Sequence, residues 1–440
     1  RTGSENKPFA MPTTLEFHGR KPITFKSAEK AEANIIHQLG YASAAAELRQ
    51  ELWKERREIE AIAKHHLGLG SEPSYTVLEQ STWIQGGFNI CIPIEVNLGK
   101  LSKKLIFRRP MPHKLAESTY PGTVDEKLSY SDTGEMLLNT WEARREDPAC
   151  RRRLFQGISR IILSLARIPQ PRIGSFQFHD DCTVTLTNRP LTCTIVALEN
   201  EGTQRITQKD GTYASTEPFV SDMITFHDNR LLNNPNAVYD AGDCRAQMTQ
   251  RILLRALSHQ YINRARRNGP FLLQLTDVNP SNIFVDKECN LTCLIDLEWI
   301  CALPAEMLAV PYWLTGQGID EIQEDHLVAF NEIRREFMDI LEEEEQGLGE
   351  QNISISEAMH NTWDSKGVWF WYCISSANAM LALLEDHICP AFSAVLYSDF
   401  EEVLSKFWCK NAEGVVQQKV NDNIQYNAEL RQRFGESATI

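Results

Sequence analysis

Apolar positions recur at helical spacing along most of this chain and alternate in strand fashion in only a few short regions, so helices dominate. The opening segment is polar, with Pro8 and Pro12. From Ser27 to His66 the pattern predicts helix, rich in Ala, Glu and Leu, with Gly68 and Gly70 as its stop. Tyr75–Glu79, Phe88–Val96 and Lys104–Arg109 then read as short strands, the last two joined by a turn. They begin a small antiparallel sheet that Pro110, Pro112 and Pro121 interrupt.

Beyond residue 137 the helical spacing returns. Leu154–Ile168 is predicted helical up to Pro169 and Pro171, and Pro218–Leu232 and Asp240–Arg267 are further helices. Two short strands flank His179–Asp180–Asp181. The densest punctuation follows: apolar FLLQLT (271–276), polar DVNPSN (277–282), strand-like IFVD (283–286), a KECN turn (287–290) and a second strand, LTCLID (291–296). Two helices are expected beyond Pro304, interrupted by VPYWLTGQG, with Glu321–Glu345 helical and QGLGE a linker. The tail, 356–433, reads as three helices with a break at Pro390. There is no internal repeat.

Composition narrows the class. With 440 residues, 42% of them hydrophobic and 24% charged, the chain is globular, with room for two or three domains or one large bilobal unit. A formal charge of -14 argues against a nucleic-acid partner but leaves room for a nucleotide that arrives with Mg²⁺. The uncharged stretch Val368–Leu384 contains Ser375, Ser376 and Asn378 and is expected to be a buried helix, with no membrane association. The 11 cysteines form no CxxC pair, so reduced thiols, a reducing compartment and a cytoplasmic location are expected. The opening RTGSENKPFAMPTT has no apolar core like that of a signal peptide. The histidines at 65–66, 179, 227 and 259 show no ligand-like spacing and are expected to be structural.

The hairpin at 277–296 carries the candidate chemistry. Asp277 and Asn282 flank a proline turn, and Asp296 ends the following strand. Phosphoryl transfer needs such a set: a carboxylate to orient the attacking hydroxyl and take its proton, and hard oxygen donors for Mg²⁺. The same residues also suit an ordinary Asx turn and a cap. Glu298 either assists the metal or holds a loop, and Trp299 is expected to pack.

TDVNPSNIFVD followed by CLIDLEW resembles the catalytic and metal-binding motifs of the aminoglycoside phosphotransferase family, in its large fungal branch. The flanking NTWEARRED, LFQGISRIILSLARIPQPRIGSF, LTNRPLT, FHDNRLLNNPNAVYDAGDC and PYWLTG extend that resemblance over roughly residues 75–410. It implies an α+β, protein-kinase-like bilobal fold with a large, mainly helical C-lobe. It also implies ATP and Mg²⁺ as cofactors and a small-molecule acceptor. By the resemblance Asp277 is the catalytic base, Asn282 and Asp296 hold the metal, Arg108 stands on the phosphate-contacting strand, and Gly86 and Gly87 form the nucleotide-covering turn. The expected division is an N-terminal helical extension (1–74), a small lobe (75–136), a large lobe with the catalytic hairpin (137–345) and its C-terminal helical part (346–440). Oligomeric state stays open.

Three departures accompany the resemblance. Leu275 stands where the family carries a histidine, and Arg108 stands in place of lysine. Only about thirty residues separate Arg108 from Trp141, too few for the family's helix, further strands and hinge. The small β lobe is therefore expected to be truncated, lacking the family's helix after DEK (125–127) and its remaining strands, with a sheet edge and an apolar face left bare. Glu126, Glu135 and Glu142 are candidates to replace the missing ion-pair partner. The acidic run 342–345 serves either a cationic acceptor or a solvated face. An inactive, pseudokinase-like binding protein is the alternative function.

Overall fold

The computed structural model describes residues 14–15, 21–68, 73–99, 101–121, 127–130, 134–179, 181–349, 353–393 and 399–435. Helices α1 (Tyr41–Lys54) and α2 (Arg56–Leu67) open the first apolar core. Ala45, Leu48 and Leu52 lie three and four residues apart, and Ile59 and Ala63 continue the stripe. Gly68 ends α2 in the left-handed region, at φ 58°, as the sequence predicts.

The stripe meets a five-stranded sheet built from β1 (Ser74–Val77), β2 (Ile84–Gln85), β3 (Asn89–Leu98), β4 (Leu101–Pro110) and β5 (Lys127–Tyr130). Both β1 and β2 pair with β3, and β4 lies between β3 and β5. Ile90, Ile92, Ile94 and Val96 alternate along β3 toward one face, where they share a core with α1 and α2. Each buried side chain of this size contributes about 1.5–3 kcal/mol. The apolar face expected to lie bare is therefore covered by the N-terminal helices.

A further expectation is corrected here: the prolines do not end the sheet, because Lys127, the last residue of DEK, begins β5, which pairs along β4. Among the described residues between β4 and β5, the only helical element is the single turn Pro112–Lys114. Glu126 lies outside the described residues.

The larger body begins with β6 (Glu135–Met136) and α3 (Pro148–Ala166). Asp147 caps α3 by accepting from the Ala149 N–H, with Pro148 in its first turn. β7 (Gly174–Phe178), β8 (Val184–Asn188), α4 (Cys193–Asn200), α5 (Thr216–Asn233) and α6 (Ala241–Tyr261) follow. Then come β9 (Leu272–Leu275), β10 (Ile283–Val285), β11 (Leu291–Leu294) and β12 (Ile300–Leu303). One sheet runs β8-β7-β12-β9 and the other β11-β10-β6. The chain closes with α7 (Glu324–Gln346), α8 (Ile355–Asp364), α9 (Gly367–Ser375) and α10 (Ala412–Arg433), giving an α+β fold.

The helix expected just beyond Pro304 is replaced by three short turns, Ala305–Met307, Tyr312–Thr315 and Ile319–Glu321. The helix at 240–267 stops at Tyr261. The stretch Val368–Leu384 is mostly buried, with Asn378 and Leu381 exposed, and it breaks after Ser375, where Ser376 takes an extended backbone. No helix among the described residues is long and apolar enough to cross a membrane.

Cys150 and Cys289 form a disulfide between α3 and the β10–β11 turn, which corrects the expectation of wholly reduced thiols. The acidic run is engaged in fastening helices. Glu342 meets His360 at 2.6 Å, Glu343 meets Arg152 at 2.6 Å, and Glu344 takes two hydrogen bonds from Arg160. Glu345 accepts from the Ser356 N–H in the first turn of α8. His227 is buried, donates Nε2–H to the Ile374 carbonyl, and is pushed down to about 3 by burial, as befits a structural histidine.

Candidate active site

The candidate site grows from the chain between β9 and β12. These strands pair antiparallel from Leu272↔Leu303 to Leu275↔Ile300, so the intervening segment emerges from one end of the sheet. Thr276 fixes the exit by donating its N–H and its hydroxyl to the Trp299 carbonyl. Asn279 then makes an Asx turn, its Oδ1 accepting from the Ser281 N–H at 3.0 Å. The Trp313 indole donates to the Val278 carbonyl at 2.6 Å. The Ile295 N–H donates to the Asn282 carbonyl, which draws the end of β11 back beside the turn.

Asp277 and Asn282 are in direct contact. Asn282, only 6% exposed, donates Nδ2–H to both the carbonyl oxygen and Oδ2 of Asp277, each at 2.9 Å. Asn279 donates to Asp277 Oδ1 at 2.9 Å. Burial pushes the Asp277 carboxyl above the ordinary carboxylate range, and Glu298 pushes the same way, while the two asparagine hydrogen bonds pull it back. Asp296 adopts a left-handed backbone at φ 60°, uncommon for a residue with a side chain, and lines a niche of about 10 Å³ with Asp277 and Asn282. The structure thus brings all three sequence-predicted hairpin residues to one place.

Arg108 joins them from the small sheet. It lies opposite Cys91 on β4, is 7% exposed, and forms an ion pair with Asp296. Its Nε remains buried without a partner among the described residues. Neither Glu135 nor Glu142 serves as its counter-ion: Glu135 pairs with Arg144 and Glu142 with Arg145.

Gly86 and Gly87 form the turn between β2 and β3, and the Gly86 N–H donates to the Asn89 carbonyl. A Cβ at Gly87 would meet nothing, and neither glycine has positive φ, so an ordinary turn accounts for both. The turn reaches the site through Phe88, whose ring lies 5.7 Å from that of Trp299. Trp299 packs there with Leu115, Leu191 and Val196.

On the other side of Asp277 lies a cavity of about 340 Å³. Leu275 belongs to its wall. So do Tyr312 and Tyr372, whose place in the wall no motif spacing shows. Burial raises the Tyr312 hydroxyl, with the Asp277 charge adding to it. Cys193, beside the same carboxylate, is pushed up to about 12, chiefly by burial, and stays a thiol.

The donor set was tested for Mg²⁺. Asn282 Oδ1 has one contact among the described residues, the Ser281 hydroxyl at 3.5 Å, and Asp296 supplies a carboxylate. Two hard oxygen donors suit an ion that takes its remaining ligands from phosphate and water. Among the described residues no group of three or more His, Cys, Asp or Glu forms a metal cage. No protein-family model matches this chain, and no curated protein matches it.

Proposed function

We propose that the chain is a kinase-like, bilobal phosphotransferase that moves the γ-phosphate of ATP to the hydroxyl of a small molecule. The observation that carries this reading is the orientation of Asn282. Its amide N–H groups are spent on Asp277, which steadies the carboxylate and keeps Oδ1 available to a cation. Asp277 sits between a cavity able to hold an acceptor and the niche that contains Asn282 and Asp296.

In this mechanism the acceptor hydroxyl donates to Asp277 and yields its proton there as the oxygen–phosphorus bond forms. The bond from the γ-phosphorus to the bridging oxygen breaks, and ADP leaves with that electron pair. Mg²⁺, when bound, neutralises phosphate charge, with Asn282 and Asp296 as its protein ligands. A carboxyl raised by burial is a better base than an exposed aspartate near neutral pH. Arg108 must withdraw from Asp296 for the niche to open. Its guanidinium, with a spare Nε–H, then meets phosphate in place of the family's lysine.

A second reading, an inactive kinase-like binding protein, is favoured by the same ion pair, which covers a proposed metal ligand with a fixed cation. Titration with ATP, with and without Mg²⁺, followed by calorimetry and thermal shift, separates the two. The phosphotransferase reading expects saturable, Mg²⁺-dependent binding that Asp296→Asn weakens at least tenfold. Binding indifferent to Mg²⁺, or none by a folded sample, sinks it.

A further inference from the structure

The cavity beside Asp277 has a chemical character that the family resemblance does not supply. Its volume, about 340 Å³, lies at the lower end of small-molecule sites. Its walls come from α3, α5, β9 and the turns after β12, and include Ile162, Met223, Leu275, Met307 and Tyr372. Asp277 is the one charged side chain lining it among the described residues.

Most polar groups in the wall are already engaged, while the Thr194 and Tyr312 hydroxyls have no hydrogen-bond partner among the described residues. Gln274 Nε2 donates to the Pro304 carbonyl at 2.7 Å, and the Thr276 hydroxyl donates to the Trp299 carbonyl at 2.6 Å. The Ser375 hydroxyl donates to the Trp371 carbonyl, and Ser376 Oγ accepts from the Ala379 N–H. Thr192 Oγ1 accepts from the Ile195 N–H at 3.2 Å. A polycation entering this space would surrender its hydration and gain a single carboxylate. The acidic run 342–345, the sequence's other candidate for cation recognition, is bound to Arg152, Arg160 and His360.

We propose that the acceptor is a neutral alcohol with an apolar body: hydrocarbon filling the cavity and one hydroxyl donating to Asp277. This rests on the phosphotransferase reading for the fate of the hydroxyl, but the binding itself needs no nucleotide. Unbranched aliphatic and aromatic bodies both suit walls of methionine, leucine and tyrosine, which adapt to shape.

The test uses the full chain without nucleotide and titrates n-hexanol, n-octanol and n-decanol by calorimetry, with decyl methyl ether, glucose and kanamycin as comparisons. Affinity is expected to rise about fourfold per added methylene. Decanol should bind more tightly than its ether, and glucose and kanamycin should not bind. Asp277→Asn should preserve the chain-length slope and shrink the preference for alcohol over ether. Ala309→Phe, which intrudes on the cavity, should weaken decanol at least tenfold. A flat alcohol series, or kanamycin binding in preference to decanol, overturns the proposal whether or not either variant folds. A steep series in a protein that ignores Mg²⁺ and ATP would uphold the pocket and remove the phosphotransferase reading alone.

Discussion

The hairpin at 277–296 and the small sheet face each other across the Arg108–Asp296 ion pair, yet they are built by opposite means. The hairpin's inner contacts lie within its own stretch of chain, Asn279 to Ser281, Asn282 to Asp277 and Ile295 to Asn282, while Trp313 and the Cys150–Cys289 bond tie it to the rest of the body. The small sheet is completed from a distance, by α1 and α2, whose residues precede every strand they cover. A locally specified site keeps its shape when distant parts of the chain change. A sheet completed at long range depends on helices that touch none of the chemistry.

The largest expected effect bears on the hairpin. Asp277→Asn should reduce phosphoryl transfer by about 10²–10⁴-fold, measured with saturating acceptor. Stability should move the other way. Because burial raises this carboxyl, the folded chain holds the proton more tightly than the unfolded one. The stability that this contributes is full below the unfolded carboxylate range and is lost as pH rises through the raised folded value. At neutral pH the buried charge is therefore a cost that asparagine removes. Relative to the parent the variant should fare best at pH 7 and lose ground in acid, although its amide keeps one acceptor oxygen where the carboxylate offers two to Asn279 and Asn282. A lower melting point at pH 7 would mean that the carboxylate is structural.

Next in size is the disulfide that ties the hairpin turn to α3. Cys150→Ser should lower stability by about 2–5 kcal/mol in urea unfolding, because the bond closes a loop of 139 residues in the unfolded chain. The hairpin itself should survive. If the variant's ATP titration changes in proportion to its stability, the claim of local specification fails.

Ile59→Ala probes the other side. Ile59 is 3% exposed in the core between α2 and the sheet, and its truncation should cost about 2–5 kcal/mol. Here nucleotide binding should suffer with stability, since Arg108 and the Gly86–Gly87 turn both stand on that sheet. Unchanged ATP affinity would show that the helices cover the sheet without supporting its function.

The same contrast explains what sequence reading could reach. Asp277, Asn282 and Asp296 were legible because turn chemistry and strand alternation are local signals. The strand that begins at Lys127 was hidden because its identity comes from pairing beside Arg108, beyond prolines that read locally as the end of the sheet. The cover over Ile90 and Ile92 was missed because helical periodicity shows an apolar stripe without showing what it meets. Cys150 and Cys289 lacked any motif spacing. The cavity had no linear pattern either: its walls converge from α3, α5 and β9, and only Asp277 and Leu275 were singled out among them.

The smallest effect tests the joint between the two regions. Arg108→Gln removes the cation from Asp296 and also the proposed phosphate contact, so its two consequences oppose each other. Titrated with Mg²⁺ alone, the variant should bind more tightly than the parent, because Asp296 no longer has to shed a guanidinium. Titrated with ATP and Mg²⁺, it should bind more weakly by tenfold or less, about 1.4 kcal/mol, since lost phosphate contact outweighs the relieved carboxylate. Opposite signs in the two titrations would make Arg108 a gate over the metal ligand as well as a phosphate ligand. Matching losses in both would mean that the ion pair holds the sheet against the hairpin, and that the niche collapses without it.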